Sequence, residues 1–68
     1  MEQKINEFII FCVEEYKKEH NMGGKEVYNL FEELGVLEFL TEVYDLLHTQ
    51  GKDYIIETIN DFIKTSKE

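Results

Sequence analysis

An aspartate and a histidine separated by two leucines, Asp45-Leu46-Leu47-His48, form the sharpest chemical signal in this chain. Side chains three apart on a helix share a face, so this pair could grip one metal ion. Dimetal carboxylate bundles use two Glu-x-x-His pairs together with two further glutamates. Here one Asp-x-x-His occurs and no second copy. A metal-binding or enzymatic centre would therefore need a helical dimer to complete it. The simpler reading is a local acid–histidine pair, with His48 complementing the negative end of its helix. No metal site and no cofactor are expected.

The other reactive side chains are placed no better for catalysis. Cys12 stands between Phe11 and Val13, inside an apolar run. A nucleophilic thiol wants a helix N-terminus or a neighbouring cation to lower its pKa, so Cys12 reads as a buried, inert cysteine. His20 closes Glu14-Glu15-Tyr16-Lys17-Lys18-Glu19-His20, but Glu15 lies five residues away, off the shared face, and a solvated helix end is expected. Gly23-Gly24-Lys25 meets a helix start, where anions can bind. A phosphate-binding P-loop needs G-x-x-x-x-G-K-[ST]; here Glu26 follows the lysine, and no glycine precedes Gly23. Ser66 is the only serine. The chain is read as non-enzymatic.

If a polar surface segment matters, the residues to choose are Tyr44, Asp45, His48, Thr49 and Gln50. They gather at a helix end and turn, where recognition tends to sit. The competing reading is that the same segment only shapes the turn. Acids also accumulate at Glu32, Glu33, Glu38, Glu42 and Asp45. They form either a solvated face or a docking surface for a basic partner.

Four helices must position these groups. The first spans about residues 3–20, with an apolar stripe of Ile5, Phe8, Ile9, Cys12, Val13 and Tyr16 at steps of three and four. Ile10 and Phe11 widen that stripe, so the helix is expected to meet neighbours on two sides. Asn21 and the Gly23–Gly24 pair stop it. The second, about 25–34, carries Val27, Leu30, Phe31 and Leu34, and Gly35 is placed to end it in a left-handed conformation. The third, about 36–48, carries Leu37, Leu40, Val43, Tyr44 and Leu47, broadened by Phe39 and Leu46. The fourth, about 52–65, buries Ile55, Ile56, Ile59, Phe62 and Ile63, whose steps fit a helix and not a strand. Thr65-Ser66-Lys67-Glu68 reads as a frayed tail. The fold class is a compact all-α bundle, one domain over residues 1–68.

Composition narrows the partners. The chain has 68 residues, 15 acids, seven lysines and no arginine, for a formal charge of −8. Nucleic-acid binding draws on lysine and arginine neutralising phosphates, so neither nucleic acid nor an anionic membrane is expected. The longest apolar run, Phe8 to Val13, is too short to span a bilayer, and Glu2 and Glu7 precede it where an export signal would be basic. A cytoplasmic location is expected. A lone cysteine allows no internal disulfide. With a single core supplying about 3–5 kcal/mol at this size, good helix packing or a homodimer must stabilise the fold.

The chain from Phe8 onward resembles a bacterial family, domain-of-unknown-function family 3791. The resemblance rests on Phe11-Cys12-Val13-Glu14-Glu15-Tyr16, Gly24-Lys25-Glu26-Val27, Leu30-Phe31 and Gly35-Val36-Leu37-Glu38-Phe39-Leu40. It continues through Tyr44-Asp45-Leu46-Leu47-His48-Thr49-Gln50-Gly51, its most distinctive stretch, then Tyr54-Ile55-Ile56 and Ile59-Asn60-Asp61-Phe62-Ile63. The family carries no established activity, so no catalytic residue comes with it. Its genes often neighbour one for an ADP-ribosyltransferase-like protein. The resemblance thus implies an antitoxin-like or regulatory partner of that neighbour.

Overall fold

Phe8, Cys12 and Tyr16 recur every four residues and lie buried along one line of helix α1 (Gln3–His20). Ile9 and Val13 flank that line, half-buried. Helix α1 ends at Asn21, which takes the left-handed conformation at φ 52°. The Met22 N–H then donates back to the Lys17 carbonyl at 3.1 Å. This is a Schellman stop, with Met22 packed on the core as its hydrophobic contact. The stop therefore belongs to Asn21, whereas the glycine pair begins the next element.

A computed structural model describes residues 3–66. Four further helices follow α1: α2 (Gly24–Leu34), α3 (Val36–Glu42), α4 (Tyr44–Leu47) and α5 (Lys52–Ser66). No strand occurs among the described residues, and the all-α class holds. Among the described residues, no helix is long and apolar enough to cross a membrane. Thr65 and Ser66 belong to α5 and not to a frayed tail; Lys67 and Glu68 lie outside the described residues.

The core draws on every helix: Phe8, Cys12 and Tyr16 from α1, Val27 and Phe31 from α2, Val36 and Leu40 from α3, Leu47 from α4. Helix α5 adds Ile55, Ile56, Ile59 and Ile63. Aromatic rings join the layers edge-on, with Tyr16 against Phe31 at 5.1 Å between ring centres. Phe39 of α3 stacks on Phe62 of α5 at 4.3 Å. The radius of gyration, 11.0 Å, equals the roughly 11 Å expected for a compact globule of this length.

Three expectations need correction. The third helix does not run unbroken from 36 to 48. It breaks at Val43 (φ −99°, ψ 11°), which separates α3 from α4. Just before the break the Thr41 hydroxyl donates to the Leu37 carbonyl at 2.9 Å, but Thr58 makes the same bond to Tyr54 inside the unbroken α5, so that bond alone does not break a helix. Second, Val36 is fully buried, whereas Leu37, the residue expected inside, is half-buried. The left-handed Gly35 (φ 79°) sets the entry of α3, so Val36 takes the inner place in its first turn, while Leu40 and Leu47 are buried as expected. Third, α1 does meet several neighbours, α2, α3 and α5, as expected, yet these do not enclose Ile10 and Phe11, which stay 61% and 39% exposed.

Candidate functional site

The break at Val43 shapes the Tyr44–Gln50 segment. The Val43 carbonyl accepts from Leu46 N–H at 3.0 Å and Leu47 N–H at 2.9 Å, so a new short helix starts there. This turn of α4 sets the Tyr44 ring edge-on against Phe8 of α1, 5.4 Å between centres. One helical turn later, the His48 imidazole stacks on Tyr44 at 4.3 Å and 9° between planes. The imidazole Nδ1–H donates to the Tyr44 carbonyl at 2.7 Å, and the His48 backbone N–H donates to the same oxygen at 2.9 Å. A carbonyl has two lone pairs, so one oxygen can accept both. The histidine closes the end of α4. The Gln50 N–H donates to Leu47 at 2.9 Å, and Gly51 accepts from Ile55 as α5 begins.

Tyr44 and His48 are thus brought together, and Asp45 is not brought to His48. Asp45 is exposed, and no ion pair joins the two among the described residues. No group of three or more histidine, cysteine, aspartate or glutamate side chains gathers as ligands among those residues. Thr49 and Gln50 are exposed, and Gln50 borders a shallow depression with Phe39, Leu46 and Tyr54.

The other reactive groups are occupied structurally. Cys12 has no exposed surface, and burial pushes its thiol from the ordinary 9.0 up to about 12. It stays protonated at neutral pH, while attack needs the thiolate. Burial also raises Tyr16. His20 is exposed yet engaged: its ring stacks on Tyr16 at 4.1 Å, and its Nε2 lies 3.1 Å from the Asn60 amide oxygen. That contact pins the end of α1 to α5 across 40 residues of sequence, which spacing within α1 could not reveal. At Gly23 the N–H donates to the Glu26 carboxylate at 3.1 Å, so the chain's own acid fills the place where an anion would dock.

A different feature presents surface to solvent. Helices α1, α2 and α3 enclose an open groove of about 630 Å³, walled by Ile9, Ile10, Tyr28 and Leu37. Glu38 and Glu42 stand in its lining, and no lysine does. Ile10 is 61% exposed and Tyr28 is 47% exposed. Isolated exposed apolar residues are ordinary on any protein; three helices converging their apolar side chains on one trough is a patch. The sequence signal for it was the surplus of Ile10 beyond the core stripe. Tyr28 gave none.

The model of the family described as "Protein of unknown function (DUF3791)" matches residues 7–66. The chain belongs to this family. No curated protein and no solved structure matches it. The match covers Ile9, Ile10, Tyr28 and Leu37 of the groove and the Tyr44–Gln50 segment.

Proposed function

We propose that this member of family DUF3791 is a small acidic protein-interaction module of the cytoplasm, without enzymatic activity of its own. The observation that carries the reading is the apolar groove between α1, α2 and α3, with Glu38 and Glu42 in its lining on a chain of charge −8. Such a surface offers buried area and steers an oppositely charged partner. The placement of the reactive groups also supports it. Cys12 is buried and protonated, and both histidines are committed to stacking and hydrogen bonding. The family resemblance supports, as the partner, a neighbouring ADP-ribosyltransferase-like protein, which the module would neutralise or regulate as an antitoxin does.

Co-expression with that neighbour tests the reading. The two chains should co-purify, and rising salt should weaken the complex. Absence of any complex when both are made in one cell would overturn it.

Self-association is a second reading, and one observation favours it. The depression beside Leu46 and Tyr54, 73% and 57% exposed, has no charged residue in its lining. Two acidic chains can meet there without facing carboxylates. Light scattering that shows a monomer at high micromolar concentration would remove this reading.

A further inference from the structure

We infer that the groove between α1, α2 and α3 receives an amphipathic helix of another protein, its apolar side seated on Ile9, Ile10, Tyr28 and Leu37 and its flanks basic. The inference rests on the interaction reading above and adds which surface is used and what chemistry occupies it. A helix-in-groove contact needs an apolar trough about one helix wide, open along its length. Here the trough is open, and three consecutive helices form it. A helix of about 16 residues is about 24 Å long. The molecule measures 26 × 23 × 23 Å, so such a helix crosses one whole face.

Charge selects the occupant. Glu38 and Glu42, one helical turn apart, line the α3 side. On α1, Glu7 lies three residues before Ile10, within a helical turn of it, while Glu14, four residues after it, already pairs with Lys17 at 3.6 Å. On α2, Glu32 lies four residues after Tyr28, while Lys25 lies three before it as a cation at that edge. The balance at the rim is acidic. A second copy of this chain would bring the same carboxylates to face their counterparts, and like-charge contact disfavours that pairing. Lysine or arginine flanking an apolar stripe fits instead. The charged hollow between α1 and α5 is a poorer receptor, because Glu15 already pairs there with Lys18 at 3.6 Å and Lys52 at 3.8 Å.

The test uses the full chain and two synthetic peptides of about 16 residues that share a leucine stripe. One has lysine on its flanks; the other has glutamate. The lysine peptide should bind one-to-one by fluorescence anisotropy and weaken as salt rises; the glutamate peptide should not bind. Replacing Ile10→Ser together with Tyr28→Ser should weaken binding by about tenfold or more. Both residues are largely outside the core, so the circular dichroism and melting of this variant should match the native chain. Glu38→Gln with Glu42→Gln should flatten the salt dependence, and Leu46→Ser with Tyr54→Ser should change nothing. Equal binding by the native chain and the Ile10/Tyr28 variant overturns the inference, as does no saturable binding or loss of binding in the Leu46/Tyr54 variant. So does equal binding of the glutamate peptide, or a dimer of the native chain that the Ile10/Tyr28 variant dissolves. A co-expressed partner that holds the Ile10/Tyr28 variant as tightly as the native chain retires the groove and leaves the interaction reading standing.

Discussion

Replacing Gly35 and Gly51 in turn by alanine should affect stability very differently, although the chemical change is the same. Gly35 ends α2 and begins α3 at φ 79°, ψ 15°. A Cβ built there meets nothing within 4 Å, so the cost of alanine is conformational alone. An L-residue held left-handed costs about 1–2 kcal/mol. Gly51 also has open space around a Cβ, but its φ is not positive. Alanine there narrows the unfolded ensemble without native strain, but Gly51 is the N-cap of α5, its carbonyl accepting from Ile55, and alanine suits that position less well than glycine. The two effects offset, and stability should change by less than about 0.5 kcal/mol. Urea unfolding followed by circular dichroism reads both. With a slope near 1 kcal/mol per molar for so small a chain, Gly35→Ala should lower the midpoint by about 1–2 M, and Gly51→Ala should move it by less than about 0.5 M. A 68-residue chain is within reach of chemical synthesis, and D-alanine at position 35 supplies a control, because it favours positive φ. The D-alanine chain should be more stable than the L-alanine chain by more than 1 kcal/mol or so. Equal destabilisation by both enantiomers would refute the backbone argument and point to a contact at that carbon.

Burial of Cys12 carries a pH signature. Its thiol is raised from 9.0 to about 12, so the stabilisation it provides is complete below pH 9 and is lost as pH climbs toward 12. Between pH 8 and pH 10 the native chain should lose about 1 kcal/mol relative to Cys12→Ala in paired urea titrations, and a constant difference would show that the thiol is not buried in the folded state. At the α4 end, His48→Ala removes the bond to the Tyr44 carbonyl and the ring stack, and should cost about 1 kcal/mol. Asp45→Ala should stay within about 0.5 kcal/mol by thermal melting, since no partner holds it among the described residues. A greater loss at Asp45 than at His48 would mean that the acid, and not the carbonyl contact, organises this turn.

The parts of the fold legible in sequence are those where periodicity had one solution. In α2, Val27 and Phe31 are buried with Leu30 and Leu34 beside them, as the 27-30-31-34 spacing predicts. In α5, four isoleucines at helical steps all enter the core. Residues 36–48 offered two solutions. Positions 37-40-44-47 and 36-40-43-47 both follow helical spacing, because Val36 and Leu37 are both apolar. Periodicity alone cannot choose between them; the left-handed Gly35 does. The break at Val43 contains no glycine or proline to announce it. Likewise Asp45 and Tyr44 both lie within reach of His48, at three and four residues. The sequence made the acid the natural partner, and the structure gives the histidine to a backbone carbonyl.

Why the groove escaped the sequence, and why it is more than leftover grease, has one answer. Each wall residue taken alone is unremarkable: Ile9 and Ile10 border a core stripe, Tyr28 sits beside one, and Leu37 belongs to the stripe that lost. What makes them a surface is the angle at which α2 and α3 leave Gly35 and lie against α1, a property no window of residues contains. Folding does not require the outcome. Ile10 at 61% exposure and Tyr28 at 47% contribute little to a core that is complete without them. A polar helix-former at position 10 would keep α1 helical and remove an apolar patch that invites aggregation. The chain instead keeps isoleucine and sets glutamates around it. A greasy floor with a charged rim excludes casual apolar contacts and admits a partner of opposite sign, and selectivity of that kind needs both parts at once.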